Sequence, residues 1–243
     1  MPRAPLAPSD NGPAKPPGKR VTGRRVPPVE KTVPKRKRDP EGMQRKILDA
    51  ATEEFANHGF GGARIERISR RARTVDRMLY YYFGSKEKLF RTVLEAAYER
   101  LGEAEQQLDF SQTSAVDGMR QLIEFTWNYY LKHPEFIRLL NSENQHRGQH
   151  LKKSTRMAQL SFPMLTVLRE LLRRGADEGV FRKNLEPEQI YVTIAALGYF
   201  YLSNRYTLSR FLDRDLMADA HRREWLQHMT KVVLDHICAQ KPK

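Results

Sequence analysis

The 243-residue chain holds a single cysteine, Cys238. That excludes a disulfide scaffold and a cysteine-based zinc site, and it fits a reducing cytosol. No apolar run reaches the roughly 18–20 residues needed to cross a bilayer, so no membrane-spanning segment is expected. The N-terminus lacks the apolar core of a signal peptide, so a cytoplasmic location is expected. Glycine-rich phosphate loops, a nucleophile elbow and paired carboxylates in a recognisable frame are also missing, which argues against an enzyme and against a bound cofactor. Proline is scarce after the first segment: ten of fourteen prolines lie in residues 1–42.

What the chain has is positive charge, 43 Lys plus Arg against 29 Asp plus Glu, a net of +14. A basic excess of this size suits an anionic partner, nucleic acid or a membrane surface. Residues 1–42 carry 11 basic and 4 acidic side chains, half the excess in under a fifth of the chain. With so few apolar residues this segment is expected to be a disordered basic arm over residues 1–38. Its densest run is Lys35-Arg36-Lys37-Arg38. The run is either a solvated stretch, a source of extra phosphate contacts beside a DNA-binding domain, or a short import-type signal. A second concentration lies between Arg64 and Arg77, where six arginines face only Glu66 and Asp76.

Periodicity beyond the arm is helical throughout, which predicts an all-α chain. Asp39-Pro40-Glu41 has the cap, first-turn proline and acidic residue that open a helix. Ile47, Leu48, Ala51 and Phe55 follow at helical spacing, and Gly59-Phe60-Gly61-Gly62 ends the helix. A short helix with Ile65, Ile68 and Ala72 on one face comes next. After a break at Arg73-Thr74, a third helix is predicted from Val75 to Phe83. Ser85 then caps a long helix carrying Leu89, Phe90, Val93, Leu94, Ala97 and Leu101. Two short helices joined by a tight turn and flanked by a supporting helix make a helix-turn-helix. Tyr80, Tyr81 and Tyr82 cannot all face inward from one helix, so at least one is available to sugar or phosphate.

The segment from Ile47 to Leu89 resembles the DNA-binding domain of the TetR family of bacterial transcriptional repressors. The resemblance is carried by Ile47-Leu48-Asp49-Ala50-Ala51, Phe55, Gly59-Phe60, Ile68, Ala72, Leu79-Tyr80-Tyr81, Phe83 and Ser85-Lys86-Glu87-Lys88-Leu89. Three positions depart from the family pattern: Arg64 replaces a small hydroxyl residue, Arg73 a turn glycine and Val75 a serine. Thr74 is then the expected cap of the recognition helix. The resemblance implies phosphate contacts from Arg64, Tyr80, Tyr81, Tyr82 and Lys86, and places Thr74, Asp76 and Arg77 near base edges. Arg77 is the expected guanine reader, because its fork matches O6 and N7. The implied organisation is a helix-turn-helix domain over residues 39–88 and a ligand-binding and dimerisation domain over residues 89–243.

The C-terminal part offers two further features. The run from Ile190 to Leu202 is apolar almost all round, and the last helix also has two usable faces. A helix apolar on all sides is buried on all sides. Either it is wholly internal, or it pairs with a second copy of the chain in a four-helix bundle. The resemblance favours the homodimer, with Ile194, Leu197, Tyr201, Trp225, Met229, Val232 and His236 as its expected residues. Polar residues also interrupt the apolar stripe of the helix after Pro134. Asn141, Glu143, Asn144 and His146 form either a pocket for a small-molecule effector, among Trp127, Tyr130, Phe136 and Phe162, or an internal hydrogen-bond network. Glu143, His146 and His150 share helical spacing, but one helix cannot easily close three ligands around a metal. No metal site is expected, and the histidines are expected to be exposed. Cys238 is expected to be a small apolar contact.

The function these features favour is repression of transcription by a homodimer on double-stranded DNA, at an inverted repeat, with release by a small-molecule effector. The alternative is a ligand-independent DNA-binding or architectural protein. A membrane-surface protein held by the basic arm is a further possibility.

Overall fold

The structure, a computed structural model, describes residues 39–159 and 163–239, with Gly12, Ala14 and Gly18. The arm expected over residues 1–38 therefore lies almost wholly outside the described residues, as does Phe162.

The described residues form eleven α-helices and one 3₁₀ turn, with no strand beyond an isolated bridge between Phe181 and Cys238. Helix α1 spans Pro40–Gly62, α2 Ile65–Arg71, α3 Asp76–Phe83 and α4 Lys86–Gln106. They are followed by α5 (Ala115–Lys132), α6 (Pro134–Gln145), α7 (Thr155–Gln159) and α8 (Pro163–Asp177). The last three are α9 (Pro187–Ser203), α10 (Arg205–Phe211) and α11 (Asp219–Ile237).

Local chemistry accounts for the ends. Asp39 accepts a hydrogen bond from the Gly42 N–H at 2.8 Å and starts α1. Gly59, at φ 64°, breaks the regular helix inside α1; a side chain there would be strained in the left-handed region. Ser85 accepts from the Lys88 N–H and starts α4. The expected boundary at 88/89 falls inside α4, which continues unbroken to Gln106. Helix α1 packs more extensively against α6 than against any other element, so the two halves of the chain meet over a broad contact.

The cap of α3 is Val75 in extended backbone, not the expected Thr74, and no side chain caps this helix. Pro163 opens α8, apart from α7. Helix α10 was not expected. It is short, and its apolar residues Phe211 and Tyr206 are exposed, so no buried stripe announces it.

Helices α9 and α11 turn other residues outward than those expected. Ile194, Tyr201 and Met229 are buried inside this chain's own core and are not free for a second copy. Leu197 and Trp225 are half-buried, the indole N–H donating to the Leu197 carbonyl at 3.3 Å. Only Val232 and His236 of the expected set are exposed. The outward face of α9 is instead Val192, Ala196 and Phe200, four residues apart. An almost uniformly apolar helix has no period that says which side turns inward; docking against α5, α8 and α11 decides it.

Candidate nucleic-acid interface

Helices α2 and α3 project from a small core of Ile47, Ala51, Phe55, Ile68, Leu79 and Phe83. One buried carboxylate organises the entry to α2. Glu54, 3% exposed, accepts from the Arg64 N–H at 3.0 Å and from Arg67 Nε at 2.6 Å. Arg67 also donates to the Gly62 carbonyl at 2.7 Å. Glu54 thus satisfies a donor at the start of α2 that an apolar side chain would leave unpaired. It was missed in the sequence, although it falls on the Ile47–Ala51–Phe55 stripe.

The turn between α2 and α3 is tight. Arg73 sits at φ 53°, and the Thr74 N–H donates to the Ser69 carbonyl at 2.9 Å. The Ser69 hydroxyl donates to the Asp76 carboxylate. That carboxylate is therefore tied to α2, and the structure draws Asp76 inward from its expected place at a base edge. Its charge still favours the start of α3.

The outward face of α3 is open. Tyr81 is 76% exposed, Tyr80 51% and Val75 64%. Arg77 is exposed and Thr74 half-buried. Tyr82 is half-buried, its ring edge-on to Tyr81 with centroids 5.1 Å apart. Val75 is an apolar surface residue that composition did not single out; its departure from the family's serine was the available signal.

The arginine cluster divides into two parts. Arg67 is paired with Glu54 and Arg71 with Glu53. Arg64, Arg70, Arg73 and Arg77 are exposed. Lys86, the first residue of α4, lies with its Nζ 4.9 Å from the Phe60 ring centroid. Burial, then the nearby Arg64 charge, lowers the Lys86 pKa. Arg64 and Lys86 thus crowd two cations where α2 and α4 begin, and an anion there would relieve their repulsion.

Among the described residues, the expected effector residues do not converge on one cavity. Trp127 packs edge-on to Tyr201, and Phe136 packs among Tyr98, Tyr129 and Tyr130. All of these except the half-buried Tyr98 are buried core. Asn141 accepts from the Tyr199 hydroxyl and donates to Ser203 Oγ at 3.1 Å, tying α6 to α9. Asn144 is exposed and donates to its own helix at Leu140.

Glu143 accepts from the His150 and Leu151 N–H groups at 2.8 and 2.9 Å, and its other oxygen lies 2.6 Å from His150 Nδ1. His150 is therefore buried, against the expectation of exposed histidines. His146 stands edge-on to Phe60, His150 packs on Phe60 and Phe90, and Ser142 Oγ accepts from the Phe60 N–H at 3.0 Å. The polar end of α6 is thus a joint with the helix-turn-helix. Its groups satisfy one another and the loop backbone, as in the internal hydrogen-bond network that was the alternative to a pocket.

A cavity of about 290 Å³ lies elsewhere, lined by Tyr98, Leu101 and Glu105 of α4, Met157 of α7, Pro163 of α8 and Tyr191 of α9, among others. Among the described residues, none of the expected effector residues lines it.

Two family models match the chain. Residues 47–93 match the model described as bacterial regulatory proteins, tetR family, and residues 116–233 match a tetracyclin repressor-like C-terminal domain. The HTH-type transcriptional repressor NicS of Pseudomonas putida is 44% identical over 188 residues, covering 77% of this chain and 89% of the relative. The HTH-type transcriptional repressor SCO4008 of Streptomyces coelicolor is 38% identical over 113 residues, covering 46% and 54%. In fold, the chain resembles the fatty acid degradation regulator FadR of Bacillus halodurans with a TM-score of 0.61, at 18% identity, over 82% of this chain and 97% of that one.

Proposed function

Because the chain belongs to the TetR family of bacterial regulatory proteins, we propose that it represses transcription as a homodimer bound to an inverted repeat and is released by a small-molecule effector. The observation that carries the DNA half is the exposed face of α3 beside the Arg64–Lys86 pair.

Arg77 reads a guanine through its fork, and Val75 packs on a thymine methyl. Thr74 sits at the same base edges. Asp76 acts through the turn, holding α3 against α2. Arg64, Tyr80, Tyr81 and Lys86 hold phosphates and sugars, with Tyr82 buttressing Tyr81. Lys86 has the start of α4 behind it, where the helix dipole favours an anion. Residues 39–88 form the reading head, residues 89–243 the effector and pairing body, and residues 1–38 add phosphate contacts that choose no sequence.

In the homodimer, Val192, Ala196 and Phe200 of α9 meet their twofold copies, with Val232 and His236 of α11 alongside. That arrangement holds two α3 helices about one DNA turn, roughly 34 Å, apart. Binding of the effector favours a state with a different spacing; a coupling of about 1–3 kcal/mol changes DNA affinity roughly 5–150-fold. The joint of α6 on Phe60, next to Lys86, supports this route from body to head. The cavity along α4 supports a ligand-responsive protein over a ligand-independent one.

The test is selection of DNA by the purified full chain, followed by fluorescence anisotropy on the selected site and on scrambled DNA. An inverted repeat bound at least tenfold more tightly than scrambled DNA at physiological salt is expected. Equal binding to both would sink the proposal.

A further inference from the structure

The ionisable side chains lining the cavity along α4 have one character. They are Glu99, Glu103 and Glu105 with the phenols Tyr98 and Tyr191, and no lysine, arginine or histidine lines it among the described residues. Glu99 is paired with Arg156. Glu105 is different: it is 5% exposed, and among the described residues it receives one hydrogen bond, at 3.3 Å, from the Met164 N–H to Oε2. Its Oε1 has no described partner. That oxygen, in the wall of the cavity, is free to accept from a donor held there.

We propose that this cavity binds a small aromatic amine as its cation, with the ammonium donating to Glu105 and the ring packed against Tyr98 and Tyr191. That this amine is the effector rests on the ligand-release function proposed above. At about 290 Å³ the cavity is at the small end of ligand sites and suits one or two rings. A charge-assisted hydrogen bond to a buried carboxylate is short and strong, and tyrosine faces attract cations. A carboxylate ligand would meet Glu103 and the ionised form of Glu105, with no cation in the described lining to offset them, which disfavours acids of the same shape.

The proton on Glu105 supplies a signature. Burial pushes its pKa up to about 7. Besides the two acids of α4, the groups near it are phenols: Tyr98 of α4 and Tyr191 of α9 in the cavity wall, and Tyr129 and Tyr130 of α5. An ammonium ligand requires the ionised carboxylate, so its affinity falls about tenfold per pH unit below about 7.

Calorimetric titration of the full chain with 2-phenylethylamine and with 3-phenylpropanoate tests the proposal. The amine is expected to bind at least tenfold more tightly than the acid, to lose affinity as the pH drops below neutral, and to lose its advantage in Glu105→Gln. Equal or tighter binding of the acid, amine affinity that rises as pH falls, or no binding of either at millimolar concentration overturns it. The pH series on the unaltered chain keeps the test open should Glu105→Gln fail to fold. Anisotropy on the selected DNA separates the two claims: amine binding without DNA release overturns the effector role and leaves the cavity assignment standing.

Discussion

Glu105→Gln also has a consequence for stability in the absence of any ligand. The carboxyl rises from an ordinary 4.5 to about 7 in the folded chain because it is buried. Below the lower value both folded and unfolded chains keep the proton, and the group is neutral for stability. As pH rises the unfolded chain ionises first, so stability falls until the folded carboxyl has ionised too. At about 1.4 kcal/mol per pKa unit, the full penalty above neutrality is about 3 kcal/mol. Glutamine has nearly the same shape and no charge, so it removes that penalty. Urea unfolding followed by circular dichroism, at pH 5 and pH 8, measures the difference between variant and parent. The variant should gain about 2.5 kcal/mol relative to the parent between the two conditions, since the unfolded carboxyl is already mostly ionised at pH 5, with an unchanged denaturant slope. A difference that is the same at both pH values would refute the burial of an ionisable Glu105.

Four further outcomes follow from the surface and the core. Arg77→Ala should cost about 1–3 kcal/mol of binding to the selected site and relax the preference at one base pair, whereas Arg70→Ala should weaken all DNA alike and lower the salt slope by about one, both read by anisotropy across salt. Glu54→Ala should lower unfolding free energy by about 2–3 kcal/mol in chemical denaturation, because the Arg64 N–H and Arg67 lose their acceptor. Phe200→Glu should weaken self-association roughly a hundredfold or more in sedimentation equilibrium, since it places like charges across the twofold axis. Deleting residues 1–38 should weaken binding to all DNA and leave the preference for the selected site intact; a collapse of preference in the same anisotropy assay would overturn the role assigned to the arm.

The helix-turn-helix was legible because its signals are local. A cap at Asp39, glycines at positions 59 and 84 and a serine at position 85 each mark a helix end through chemistry within a few residues. The C-terminal half depends on contacts between distant segments. Whether Ile194 or Val192 faces inward is settled by α5, α8 and α11, not by the sequence of α9. Asn141 and Glu143 were correctly placed inside, yet their partners Tyr199 and His150 lie 58 and 7 residues away and made a joint of them. Glu105 went unnoticed because a glutamate near a helix end ordinarily faces water; only the packing of α8 and α9 buries it. Helix α10, with Phe211 and Tyr206 outward, has no inward face strong enough to read.

The left-handed Arg73 has a consequence for how this protein can evolve. A side chain in that conformation costs about 1 kcal/mol that glycine would not incur. The same position is exposed and cationic beside the DNA-reading face. A drift to glycine would therefore strengthen the fold and, in the DNA complex proposed above, remove a cation near the phosphates; the reverse step would do the opposite. Position 73 is a dial on which lineages can trade thermal robustness against occupancy of the operator, one substitution at a time, with the bases read by α3 left unchanged.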